Sequence, residues 1–89
     1  MSNEEIAGEL RLHATELSRS GNNMYRIRAF RQAAMTILAL PTPVDVILST
    51  TGREGLHRLP GIGRSLAETI EGIAMREERM VDATQLVVV

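Results

Sequence analysis

The tightest constraint in this chain is the run Leu59-Pro60-Gly61-Ile62-Gly63. Two glycines one apolar residue apart let the backbone turn sharply and come close to another surface. Ile62 between them can point inward and anchor the turn. Immediately downstream Leu66, Ala67, Ile70, Ile73 and Ala74 recur at helical spacing. Ala67 is small where two helices must approach. Gly63 and Arg64 therefore stand at a helix start, where unpaired backbone N–H groups and the helix dipole favour an anion such as a phosphate.

The rest of the chain also patterns as helices. Ile6, Leu10, Ala14 and Leu17 mark a first one, opened by the Ser2–Glu5 capping box and stopped at Gly21. A second begins after Asn23 as N-cap, runs through Ile27, Phe30, Ala33, Ala34, Ile37 and Leu38, and ends before Pro41. Thr42-Pro43-Val44-Asp45 predicts a third start, with Thr42 as N-cap and Pro43 at the first helical position. That helix closes at Gly52, and a short turn at Glu54 to Arg58 leads into the glycine run. Gly72 inside the last helix implies close packing or an early helix end. Leu86 to Val89 is the one stretch with strand-like composition, compatible with a frayed end, a docked segment or a dimer contact. The expectation is an all-α, small compact domain of about five short helices. Residues 1–89 form one domain, with 81–89 a loosely ordered or partner-binding tail.

Composition removes several chemistries. All ten basic residues are Arg, and there is no Cys. Disulfides, thiolate zinc sites, Schiff-base lysines and the P-loop lysine are all excluded. His13, on the apolar stripe of the first helix, has no second ligand at metal spacing and is a boundary histidine. No Ser-His-Asp or paired-carboxylate arrangement is present to support catalysis. Met24, Met35, Met75 and Met80 are expected as gap-fillers. The acidic start and the short apolar runs predict a cytoplasmic protein with no membrane span.

The net charge of −1 conceals an uneven distribution. Residues 1–16 sum to −3 and residues 65–89 to −3, whereas residues 17–64 carry +5. The basic middle contains the glycine run. Arg26, Arg28 and Arg31 lie on one helix but cannot share a narrow face. In a chain with one Phe and one Tyr, Phe30 is expected to pack in the core rather than to stack on a ligand.

Other glycine motifs fail: Leu66 replaces the third glycine of G-x-G-x-x-G, and no strand precedes it. With Leu59-Pro60, Ala67 and Ile70 in register, the stretch Leu56 to Ile70 resembles the helix-hairpin-helix motif, which binds DNA backbone without reading sequence. Upstream, Asn23-Met24-Tyr25-Arg26-Ile27-Arg28-Ala29-Phe30-Arg31-Gln32-Ala33-Ala34, followed by Leu40-Pro41 and then the glycine run, is similar to the N-terminal domain of family X DNA polymerases. The likeness covers about residues 3–75. Nothing resembling the polymerase palm is present.

That resemblance implies the SAM-like helical fold of the polymerase domain, a 5′-phosphate pocket, and in some members a deoxyribose-phosphate lyase. By it, Tyr25, Arg26, Phe30 and His57 match pocket-lining positions. Phe30 stands where a Tyr is common. Thr69 matches the lyase nucleophile, a Lys in the relatives, and Ser65 matches a second Lys. A hydroxyl cannot form an imine, so the chain is expected not to be an enzyme. The resemblance also implies a sodium or potassium ion on the backbone carbonyls of His57, Leu59 and Ile62, with no cofactor required.

The expected function is non-catalytic, sequence-independent binding of duplex or gapped DNA through Gly61, Ile62, Gly63, Arg64, Ser65, Arg26, His57 and Tyr25, in repair or replication. The alternative is a structural or protein-interaction domain that keeps the fold without the DNA, with a protein partner or second copy on the C-terminal tail.

Overall fold

A computed structural model of the chain describes the backbone of residues 1–21 and 23–88, and the side chains of these as far as residue 76. Four helices follow one another: α1 (Asn3–Arg19), α2 (Met24–Ala39), α3 (Val44–His57) and α4 (Arg64–Val88). Among the described residues there is no strand, so the all-α expectation holds. The expected helix count of about five becomes four because the short segment before the hairpin is continuous with α3. Gly52 interrupts α3 with φ 66° and ψ −160°, a backbone conformation open to glycine and costly for other residues. The two helical pieces on either side of Gly52 are the two elements the sequence suggested.

The apolar stripes meet in one core. Ile6 and Leu10 of α1, Ile37 of α2, Val44 and Leu56 of α3 and Ile70 of α4 are fully buried. Small residues let the helices close up: Ala7, Ala14, Ala33 and Ala67 have no exposed surface. α1 and α2 pack along their length, while α4 rests mainly on α3 and more lightly on α1.

The helix ends follow local chemistry. The Ser2 hydroxyl accepts the Glu5 N–H at 3.1 Å, and the Ser2 N–H donates to the Glu5 carboxylate at 3.1 Å. These bonds, the Ser2 backbone N–H foremost, hold the Glu5 carboxyl below its ordinary value of 4.5. A depressed carboxyl pKa supports the fold above the unfolded-state value, and the support disappears as pH falls through the folded-state value. Gly21, with φ 70°, ends α1, and the Asn23 side chain accepts the Tyr25 N–H at 2.8 Å to start α2.

The start of α3 differs from expectation. Pro43, not Thr42, is the N-cap, in extended conformation and with no side-chain cap of its own. The cap comes from a distant residue. The Asn3 side chain accepts the Val44 N–H at 2.9 Å and donates to the Thr42 carbonyl at 3.0 Å. The first turn of α1 is thereby tied to the start of α3. Asn3→Ala removes both bonds and leaves two part-buried groups unpaired. We expect a loss of about 1–2 kcal/mol in urea denaturation.

Four further expectations are corrected. Met24, Met35 and Met75 are not gap-fillers: they are 64%, 65% and 44% exposed. Ile27, Phe30, Ala33, Ala34 and Ile37 already fill the inward stripe of α2, and the 3.6-residue period turns positions 24 and 35 away from it. Met80 lies outside the described side chains. Leu38 is turned outward for the same reason. Gly72 neither ends α4 nor marks a close contact, since it is exposed and a Cβ there would meet nothing within 4 Å. The tail is not strand-like through residue 88, because α4 continues to Val88. Its partner contacts concern side chains outside those described, and Val89 is itself outside the described residues. Among the described residues no helix is long and apolar enough to cross a membrane.

Candidate nucleic-acid interface

The hairpin between α3 and α4 is held by short-range bonds and one long-range tie. The Leu59 N–H donates to the Leu56 carbonyl at 3.0 Å, and the Ile62 N–H donates to the Leu59 carbonyl at 3.1 Å. Leu56 is fully buried and Ile62 is only 3% exposed, so both ends of the turn are pinned in the core. The Thr36 hydroxyl of α2 donates to the Pro60 carbonyl at 3.3 Å. The hairpin therefore sits beside α2 at a fixed height.

The two glycines have different jobs. Gly61 adopts φ 77°, and a Cβ there would lie 3.5 Å from the Gln32 side chain of α2. It is the residue that makes the turn possible. Gly63 has no positive φ, and a Cβ there would meet nothing within 4 Å. Nothing inside the protein requires glycine at this position. Its carbonyl accepts the Ala67 N–H at 2.9 Å, which makes Gly63 the residue capping α4. The N–H groups of Arg64, Ser65 and Leu66 follow, with no acceptor one turn earlier in the helix.

A cleft of about 260 Å³ opens between α2 and this helix start, lined by Arg26, Ala29, Phe30, Gly63, Arg64, Ser65 and Leu66. Phe30 is 6% exposed and belongs to the core, as its scarcity suggested. One ring face carries the Arg26 guanidinium, 5.8 Å from the centroid. The half-buried His13 ring stacks on Phe30 at 5.6 Å between centroids. Arg26 is thus steered toward the cleft by an aromatic platform.

Electrostatics favour an anion here. α1 and α3 carry acids in their first turns, the ordinary complement to a helix dipole. α2 and α4, which flank the cleft, carry none. Arg26 and Arg64 stand in those first turns instead, a placement unfavourable for an isolated helix and favourable for a shared anion. No carboxylate lines the cleft.

The structure gathers Arg26, Gly63, Arg64 and Ser65 of the expected site. Gly61 and Ile62 shape the hairpin without lining the cleft. His57, half-buried, faces a neighbouring cleft of about 210 Å³ with Arg53, Glu54, Arg64, Ala67 and Glu68. Arg64 borders both. Tyr25 is 83% exposed and lines neither. Arg28 and Arg31 are exposed on α2 away from both clefts. Ala29 and Leu66 form part of the cleft wall and were not anticipated as site residues. Arg53, counted with the basic middle, is engaged elsewhere: it bridges to Glu68 at 3.2 Å and Glu71 at 2.8 Å. Those partners lie 15 and 18 residues away, beyond any local sequence signal.

What the fold and cleft define together is a small all-α domain whose tight hairpin presents a helix N-terminus beside arginines. The chain belongs to the helix-hairpin-helix domain family, whose model matches residues 1–78. Domains of this family commonly bind DNA without sequence preference. A search of curated proteins found no match.

Proposed function

We propose that this chain is a non-catalytic module that binds the DNA backbone without reading sequence, and that it serves in DNA repair or replication. The observation that carries this reading is the acid-free cleft where the first turns of α2 and α4 converge with Arg26, Arg64 and Ser65. The free N–H groups of α4 and the two guanidinium groups grip two or three phosphates of one strand. Gly63 keeps the approach clear of side chain. The similarity of residues 23–34 to the N-terminal domain of family X DNA polymerases supports the assignment to repair or replication.

The carbonyls of His57, Leu59 and Ile62 suit an alkali cation as hard oxygen donors. Those of His57 and Ile62 receive no hydrogen bond among the described residues, and that of Leu59 accepts one, from Ile62. Sodium or potassium held there would supply positive charge at the hairpin. Thr69 donates its hydroxyl to the Ser65 carbonyl at 3.0 Å, and neither residue can form an imine. The lyase chemistry of the polymerase domains is not part of this proposal.

Fluorescence anisotropy across a salt series tests the reading. With two or three phosphates neutralised, affinity falls in the range of ~10⁻⁴ to 10⁻⁶ M, with a log–log salt slope of about −2 to −3. Plain and gapped 5′-phosphorylated duplexes both bind, and borohydride traps no covalent adduct on an abasic substrate. A trapped adduct overturns the non-catalytic assignment. Absence of signal at high protein concentration favours instead a protein-interaction role, for which the exposed Met24, Met35 and Leu38 on the outer side of α2 are the supporting observation.

A further inference from the structure

We propose that Arg53 is a positioning residue for DNA binding, touching no phosphate itself and acting by neutralising the carboxylates that follow the phosphate seat along α4. The inference rests on the DNA-binding reading above. Glu68 lies one turn beyond Arg64 and Glu71 nearly two, so the three share one side of α4. Arg64, Glu68 and Arg53 border the same cleft. Glu68 is 63% exposed, placed where a strand leaving the helix start would pass. An uncompensated carboxylate there would repel the strand and would pair with Arg64, since residues four apart on a helix are neighbours.

Arg53 prevents both. Its Nη1 lies 3.2 Å from a Glu68 oxygen, while its Nε and Nη2 donate to one Glu71 oxygen at 3.0 and 2.8 Å. The planar fork holds both acids from α3, and among the described residues Arg64 has no ion-pair partner. The Gly52 break supplies the aim: it resets the helical phase of α3 one residue before Arg53. The guanidinium that the charge distribution assigned to the basic middle thus spends its charge within the protein. Its effect on DNA is to keep Arg64 available.

A mutant cycle read by anisotropy on a labelled duplex at low salt tests this with the whole chain. Arg53→Gln is expected to weaken binding about fivefold, the scale of one uncompensated charge a few ångströms from a phosphate. Glu68→Gln with Glu71→Gln is expected to bind at least as tightly as wild type, although it breaks the same ion pairs. In that double-mutant background Arg53→Gln should cost less than about twofold. Equal losses in both backgrounds would mean that Arg53 holds phosphate directly, and no loss in either would mean that it has no role; each overturns the proposal. If the carboxamide pair loses binding as Arg53→Gln does, the bridge is merely structural and the proposal is also wrong. Gly63→Glu, run alongside, separates the two levels. If it binds like wild type, the phosphate seat itself is misplaced. If it abolishes binding while the cycle is flat, only the role of Arg53 fails.

Discussion

Gly63→Glu is expected to abolish DNA binding while leaving the fold as stable as before, or slightly more so. The backbone at Gly63 does not need glycine, and a Cβ there enters open space. The residue caps α4, whose first turn contains no acid. A carboxylate at this end of the helix complements its dipole, an effect of about 0.3–1 kcal/mol. The same carboxylate would occupy the place of the phosphate and draw Arg64 and Arg26 onto itself. Few substitutions set stability and function in opposite directions so plainly. Anisotropy should show no saturable binding at concentrations where wild type is saturated, and thermal unfolding should show an unchanged or higher midpoint. Gly63→Ala isolates the steric part: it folds normally and binds several times more weakly, because only the closest backbone approach is lost. If Gly63→Glu bound DNA as well as wild type, the hairpin would not be the DNA-binding element.

The contrast between Gly61 and Gly63 shows where sequence reasoning reached its limit. The pattern of two glycines around one isoleucine predicts a tight turn and a close approach. The turn is present, made by the positive φ of Gly61, while no contact within the protein at either position is close enough to require glycine. The pattern does not say which glycine makes the turn, because that depends on φ and on what stands opposite. Only the fold places Gln32 against Gly61 and open space against Gly63. The same holds for the caps. The Ser2–Glu5 box and the Asn23 cap are contained within a few residues and were legible. The Asn3 cap on α3 spans 41 residues and was not. Local signals suggested Thr42 because nothing nearby reveals a side chain arriving from another helix.

Charge shows the same division. The basic middle was legible as a sum, and its contribution to the cleft, Arg26 and Arg64, follows from helix register once the hairpin is placed. That Arg53 is consumed by Glu68 and Glu71 was not legible, because two helices must first pack. The outward turn of Met24 and Met35 was accessible from periodicity alone: the helical phase that buries Ile27 and Ile37 exposes them. The gap-filling expectation considered residue type where phase decides.

Ile62→Ala should unseat the hairpin and lower the stability of the whole domain. Ile62 is 3% exposed and stands between the two glycines, where it is the one buried side chain of the turn, with Leu59 packing partly buried against the same core. Truncating a buried Ile to Ala typically costs about 2–5 kcal/mol, from lost burial and from the cavity left behind. A domain of this size has a total stability of only about 5–15 kcal/mol. The substitution therefore removes a large share of it and lowers the melting midpoint by about 8 °C or more. DNA binding should weaken as well, by a different route from Gly63→Glu. Without its anchor the turn at 59–63 no longer holds the first turn of α4 against α2, and the N–H groups of Arg64 and Ser65 cease to converge with Arg26. Amide exchange at residues 61–66 should quicken below the midpoint, ahead of the protected amides of α1 and α2. Ile62→Val, which keeps most of the buried volume, should restore both stability and binding. An Ile62→Ala protein that melts like wild type would show that Leu56, Leu59 and the Thr36–Pro60 bond suffice to hold the hairpin, and that the apolar residue between the glycines has no anchoring role.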